Sequence, residues 1–173
     1  MYSILNKLGS YGPIILLLLT IVLLRDKMNL LFYYLLFYLI GIILNTVLKG
    51  FIQEPRPSID DKTFNLMMKN KERYIKKYGT PYDIFGMPSG HSQSVLFSTF
   101  FIYFALHNIK ITFLFALISL NTLLQRINAN HHTILQVIVG SFVGILLGYI
   151  AYEMSKKNIV GKLTNKKDDY APL

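Results

Sequence analysis

GMPSGHSQSVLFSTFFIYFAL, Gly86 to Leu106, changes character part-way along. A Pro-Ser-Gly-His-Ser-Gln opening gives way to a run of apolar and small residues that shows neither the alternation of a half-buried strand nor a one-sided helical stripe. A helix that is apolar all round belongs inside a bundle or in lipid. Working outward, four more runs of this kind appear, and together they mark spans at about residues 4–24, 28–48, 92–106, 111–124 and 134–154. Each is near or somewhat under the roughly 20 residues that cross a hydrocarbon core. The third and fourth are the shortest; at about 1.5 Å per residue, one further turn of flanking sequence completes either. The fold expected is all-α, a multi-pass transmembrane helix bundle of about five spans forming one domain over residues 1–173. A long loop separates spans two and three, and a basic tail follows at 155–173.

Composition agrees. A hydrophobic content of 53% and a mean hydropathy of +0.41 are too high for an ordinary soluble domain. The first run has only Lys7 as a basic flank, lacks a small-residue cleavage site and leads straight into a second span, so it reads as a retained helix and not a removed signal peptide. With no cysteine in the chain, disulfides and thiolate metal sites are excluded. The net charge of +9 gathers between Lys49 and Lys77 and in the tail from Lys156 to Lys167. A largely embedded chain leaves little room for a base-reading surface, which makes the bilayer the partner and not nucleic acid. Oligomeric state is not written in the sequence.

Residues 25–27 and 107–110 are short connections, so spans one and two, and spans three and four, are each expected to form a tight antiparallel hairpin. The segment from Lys49 to Met87 is long, carries Pro55, Pro57 and Pro81, and mixes acids with bases. Within it, Lys62 to Tyr78 reads as an amphipathic helix on the interface, with Phe64, Leu66, Met67, Met68, Tyr74 and Ile75 toward lipid, or equally as a lid. Parity of five crossings puts this loop and the Arg126–His132 connection on one face of the membrane.

Three clusters fall at that face. In LKGFIQEPRPS, Leu48 to Ser58, Pro55 and Pro57 force an extended path that holds Arg56, while Lys49 ends a span. Taken alone, Lys49 reads as a snorkelling lysine. In the second cluster, Ser89 and Gly90 open span three, where unpaired backbone N–H groups and the helix dipole favour an anion, and His91 projects from the same turn. The plain alternative is a serine cap beside an interfacial histidine. In QRINANHHTILQVIVG, Gln125 to Gly140, Arg126 closes span four, His132 opens span five, and Gln136 lies four residues on, within reach of the imidazole. His131 is expected to point elsewhere and, with His107, to have no catalytic part. The sum is fixed positive charge with bidentate donors suited to phosphate, plus two histidines for nucleophilic and proton-transfer work. Glu54, Asp60, Asp61, Glu72 and Asp83 fall at no spacing suited to magnesium, so no metal or cofactor is expected.

Lys49, six residues, then Arg56-Pro57; Pro88-Ser89-Gly90-His91; and Arg126, five residues, then His132 resemble the three signatures of the type 2 phosphatidic acid phosphatase superfamily of membrane lipid phosphatases. The similarity runs from about Lys49 to Gly140. The resemblance implies that Lys49, Arg56 and Arg126 cradle phosphate with Ser89 and Gly90, that His132 attacks phosphorus to give a phosphohistidine, and that His91 protonates the leaving oxygen. Two positions depart from the commonest pattern: Gln125 stands for a serine and Gln136 for the aspartate that would fix the tautomer of the catalytic histidine. QEPRP, GMPS-x-HSQ and HT-x-x-QV are similar to the dolichyl diphosphatase branch, in which glutamine also occupies the Gln136 position. That resemblance implies a polyprenyl diphosphate substrate and an endoplasmic reticulum membrane; the basic residues that crowd the end of span five favour a cytoplasmic C-terminus and a lumenal site, in agreement with it. The alternatives are another lipid phosphate (undecaprenyl diphosphate, phosphatidate or phosphatidylglycerophosphate) or a catalytically impaired lipid-phosphate-binding protein. A small transporter fits less well, since charges within the spans are nearly absent and no half is repeated.

Overall fold

The computed structural model describes residues 2–77 and 79–157, residues 2 and 3 by backbone alone. Residue 78 and the basic tail from residue 158 onward lie outside the described residues. The chain order is α1 (Tyr2–Leu23), α2 (Met28–Ile52), α3 (Asp61–Lys69), β1 (Tyr74–Lys77), β2 (Thr80–Asp83), α4 (Gly90–Leu106), α5 (Ile109–Asn128) and α6 (Ile134–Lys157). Four of these, α1, α2, α5 and α6, are long and apolar enough to cross a membrane. α4 has 17 residues, about 25 Å of helix, and sits at the centre of the bundle against α6, α5, α1 and α2.

Packing is inside-out relative to a soluble bundle. The faces of Leu18, Phe32, Leu39, Ile43, Phe113, Leu117, Ile138 and Phe142 are exposed, a belt of the size that only lipid or a partner would cover. The interior carries aromatic packing around Tyr34, Phe97 and Phe101. It also carries polar cross-links: Tyr34 with Ser98 at 2.8 Å, Thr99 with Ser119 at 2.8 Å, and Asn45 Nδ2 donating to Gln93 Oε1 at 2.9 Å. Gln93 Nε2 in turn donates to the Gly41 carbonyl at 2.7 Å, pinning α4 to α2. Hydrogen bonds of this kind between membrane helices contribute about 0.6 kcal/mol each on average.

α4 and α6 run side by side because α6 offers glycine where α4 comes closest. A Cβ on Gly144 would run into the Gln93 carbonyl, and one on Gly140 into Ser89. This small-residue seam lets the backbones approach, and it carries the Ser89 N–H to the Gln136 carbonyl at 3.0 Å.

Two sequence expectations are corrected. The short turn after α1 does not make a tight hairpin: α1 packs chiefly on α5 and α4, while α2 packs on α6 and α4. α1 and α2 splay around α4 and leave a cavity of about 310 Å³ between them. Nor is residues 62–78 one interfacial helix. Asp60 caps α3 by accepting the Thr63 N–H at 2.9 Å, but the helix ends at Lys69 and Lys71 turns through φ +57°. β1 then pairs antiparallel with β2, and Gly79 at φ +78° serves the tight turn, a conformation open to glycine at no steric cost. Met67, Phe64, Met68 and Ile75 pack on Ile84 and Phe85 and not on lipid; Leu66 and Tyr74 remain exposed.

Candidate active site

The C-terminal end of α2, the loop that follows it, the N-termini of α4 and α6 and the C-terminus of α5 meet at one end of the bundle. Each brings one of the anticipated groups, and Lys49, Arg56, Arg126 and His132 are all buried there. Arg56 is the hub. Its Nη1 donates to His132 Nε2 at 2.9 Å and to the His131 carbonyl at 3.3 Å, and its Nε donates to the Asp83 carbonyl at 2.7 Å. The guanidinium lies over the Tyr82 ring, 4.7 Å from its centroid. The extended Pro-Arg-Pro path is tied to the hairpin through the Arg56 N–H and the Ile84 carbonyl at 3.0 Å.

Lys49 does not snorkel. Its Nζ donates to the Phe85 carbonyl at 2.9 Å and lies 3.5 Å from Asp83 Oδ2. Asp83 also takes both ends of Arg73, at 3.1 and 2.9 Å, and accepts the Phe85 N–H. Burial works against its ionised form, yet the Arg73 hydrogen bonds and the Lys49 charge hold this carboxyl below the usual range. Asp83 was not singled out from the sequence; its role depends on a strand turning back ten residues after Arg73, which no local spacing reveals.

Arg126 is 7% exposed, and its Nε has no hydrogen-bond partner among the described residues. Its Nη1 donates to the side-chain Oε1 of Gln125 at 3.3 Å, and Gln125 Nε2 donates onward to Asn6 Oδ1 of α1 at 3.0 Å. A buried guanidinium left this lightly engaged is costly unless an anion completes it.

Ser89 caps α4. Its Oγ accepts from Ser92 Oγ at 2.9 Å and, weakly, from the Ser92 N–H, while its own N–H goes to Gln136. The Ser89 amide is therefore not one of the free donors the sequence suggested; Gly90 and His91 keep the first-turn positions that have no intrahelical partner. His91 Nε2 faces the Ser10 carbonyl of α1 at 3.2 Å. Since a carbonyl only accepts, Nε2 is the protonated nitrogen. Arg126 and Arg56 are the charged groups acting most strongly on this ring.

His132 sits just ahead of α6, not within it. Thr133 and Gln136 form a reciprocal cap: Thr133 Oγ1 accepts the Gln136 N–H at 3.2 Å, and Gln136 Oε1 accepts the Thr133 N–H at 3.3 Å, the capping-box arrangement of T-x-x-Q. Gln136 Oε1 also takes His132 Nδ1 at 3.2 Å. An amide oxygen cannot donate, so Nδ1 carries the proton and Nε2 presents its lone pair toward Arg56. Burial first, then Arg56, Arg126 and Lys49, hold the ring's pKa down to about 2, against the small opposing effect of Gln136. His131 is closer to the site than expected. Its Nδ1 lies 3.2 Å from the Tyr82 hydroxyl, and burial with Arg126, Arg56 and Lys77 lowers its pKa to about 4.

Fold and site together define an integral membrane protein in which buried cations and two histidines gather at one rim of a helix bundle. The sequence matches the PAP2 superfamily over residues 30–159, and the chain belongs to that superfamily. Its members are phosphatases, and hydrolysis of a membrane lipid phosphate is the activity class that membership supports. No curated protein and no solved structure matches the sequence.

Proposed function

We propose that the protein hydrolyses a polyprenyl diphosphate, dolichyl diphosphate being the member best suited, to the monophosphate and inorganic phosphate. The observation that carries this reading is the convergence of three buried cations on His132, with Arg126 Nε lacking an acceptor among the described residues. Asp83 is the single carboxylate ion-paired with this cluster among the described residues. A phosphoryl group supplies the missing negative charge, and its oxygens match guanidinium geometry. The diphosphate is favoured by the QEPRP, GMPS-x-HSQ and HT-x-x-QV resemblance.

In this reading Lys49, Arg56 and Arg126 hold the terminal phosphate with the Gly90 amide and the Ser89 turn, and stabilise the charge that develops in transfer. The His132 Nε2 lone pair forms a bond to phosphorus. The bond from phosphorus to the bridging oxygen breaks, its electron pair leaves with the lipid monophosphate, and His91 delivers a proton to that oxygen. Water then attacks the phosphohistidine, with His91 taking the proton back. For His91 to act, it first takes up a second proton as the imidazolium, a form the negative charge of the bound diphosphate favours, and the substrate oxygen displaces the Ser10 carbonyl from Nε2. The cavity between α1 and α2 ends on His91 and Gly90 and is lined by Pro13, Ile14, Tyr38 and Ile42. It lies on the side where a leaving group must depart, and it is apolar enough for the first part of a prenyl chain.

The basic tail crowds a span end, which favours a cytoplasmic C-terminus and so a lumenal site in the endoplasmic reticulum membrane; protease accessibility of a C-terminal tag in sealed vesicles tests this. Activity is tested by phosphate release from dolichyl diphosphate by purified protein in detergent with EDTA present. His132→Ala is expected to lose at least about 1,000-fold, and His131→Ala to stay within about fivefold, because only its backbone carbonyl serves Arg56. Wild-type turnover in His132→Ala overturns the nucleophile. A side-by-side panel of undecaprenyl diphosphate, phosphatidate and phosphatidylglycerophosphate decides the substrate. Binding of vanadate with no turnover of any lipid phosphate favours a binding protein instead.

A further inference from the structure

Gln136 stands where an aspartate would ordinarily orient the nucleophilic histidine, yet a carboxylate is present one step further out. Gln136 is fully buried, and all four hydrogen-bonding positions of its amide are filled. Oε1 takes His132 Nδ1 and the Thr133 N–H. Nε2 donates to Glu54 Oε1 at 2.7 Å and to the Pro55 carbonyl at 2.9 Å. The amide therefore cannot turn over, and its oxygen is committed to the ring. Gly86 is part of the same device, since a Cβ there would run into the Gln136 amide.

Glu54 has the opportunity to do something else and does not take it. Buried Arg56 lies two residues along the same loop, but the Glu54 carboxylate forms no ion pair among the described residues. Its short hydrogen bond goes to a neutral amide instead. The partial burial of Glu54 keeps that interaction from being swamped by water. A carboxylate accepting from an amide N–H draws electron density toward the amide oxygen, because the nitrogen lone pair is conjugated with the carbonyl; the oxygen becomes a stronger acceptor for the group beyond it.

We infer that Glu54 is a positioning residue for catalysis: acting through the Gln136 amide, it fixes the Nδ1–H tautomer of His132 and offsets the positive charge the ring acquires when Nε2 becomes bonded to phosphorus. This rests on the phosphatase reading above. During attack the Nδ1 proton stays on the ring, so the phosphorylated imidazole is cationic, with Arg56, Arg126 and Lys49 facing it from the loop, α5 and α2. Among the described residues Glu54 is the carboxylate hydrogen-bonded toward the ring through Gln136, whereas Asp83 on β2 is paired with Lys49 and Arg73. A glutamine at this position is then not a lost carboxylate but a spacer between carboxylate and ring.

The test uses the full chain, purified in detergent, with lipid diphosphate as substrate and His132 followed by side-chain ¹⁵N NMR. Glu54→Gln can still accept from Gln136 but carries no charge. It is expected to lower kcat on the order of tenfold, less than the roughly 10⁴-fold of an aspartate in direct contact with a histidine, with KM unchanged within about twofold. Glu54→Ala leaves the Pro55 carbonyl as the one acceptor seen for Gln136 Nε2, and is expected to show a detectable fraction of the other His132 tautomer where wild type shows Nδ1–H alone. Gln136→Asp in the Glu54→Gln background returns a carboxylate to the ring and is expected to recover most of kcat. Full kcat in Glu54→Gln, or no recovery in the double variant while both remain folded by thermal melt, overturns the inference. If wild type turns over no lipid phosphate the phosphatase reading fails by itself, and the tautomer measurement on Glu54→Ala then decides the positioning role alone.

Discussion

Among single residues, His132 shows how one group is set by several others. Its pKa of about 2 lies far below the ordinary 6.5, so the folded protein holds the ring neutral where the unfolded chain would protonate it. The unfolded state then binds more protons as pH falls below about 6.5, and stability falls with it. By pH 5 the unliganded protein is expected to lose about 2 kcal/mol through this residue alone; the half-exposed His131 adds a smaller loss of the same sign. Thermal unfolding in detergent between pH 7 and pH 5 checks this, and His132→Asn should flatten the slope. Phosphate or vanadate, by neutralising Arg56 and Arg126, should flatten it as well. The gathering of Lys49, Arg56, Arg126 and His132 at one end of the bundle was legible because residue type and spacing suggest phosphate chemistry, which also made His91 a candidate. Asp83 and Glu54 were not, since a lone carboxylate in a mixed-charge loop has no local signature of what it will touch. Gln136 was legible as a neighbour of His132, and the capping box that fixes it is written in the chain as Thr133-x-x-Gln136.

At the scale of elements, the spans could be read because an all-round apolar run has few other solutions in a chain of this composition. The segment after Asp60 misled because its apolar residues recur at spacings a helix also satisfies. What ends the helix is tertiary: the clamp of Arg73 on Asp83 and the stacking of Arg73 on Phe85, 5.3 Å from its centroid. Two glycines separate seam from surface. Gly144→Leu forces α6 off α4 and is expected to destabilise by about 3 kcal/mol. Gly50→Ala meets nothing closer than Arg73 Nη1 at 3.8 Å and is expected to be neutral or stabilising by up to about 1 kcal/mol. Melting temperatures of the two variants in one detergent check both expectations.

For the molecule as a whole, the arrangement that sequence could not give is the splay of α1 and α2. A three-residue connection suggests neighbours, but packing preference decides, and α4 offers both helices a better surface than either offers the other. The resulting cavity reaches His91 from between α1 and α2, and on the proposed reading it serves as a side entrance for the lipid chain. Ile42→Trp narrows it and is expected to lower kcat/KM for a long-chain polyprenyl diphosphate about tenfold, while a short, water-soluble prenyl diphosphate is turned over within about twofold of wild type. Parallel rate measurements on the two substrates check this; equal losses on both would mean the residue acts on the site and not on the tail.

The contact of Arg56 with His132 Nε2 gives the resting molecule a latch. The lone pair that would react is already engaged, and the guanidinium leaves it only for a stronger acceptor, which a doubly charged headgroup is and a neutral glyceride drifting past in the leaflet is not. On the proposed reading, selectivity for anionic lipids thus begins before any bond is made, with the substrate itself uncovering the atom that attacks it.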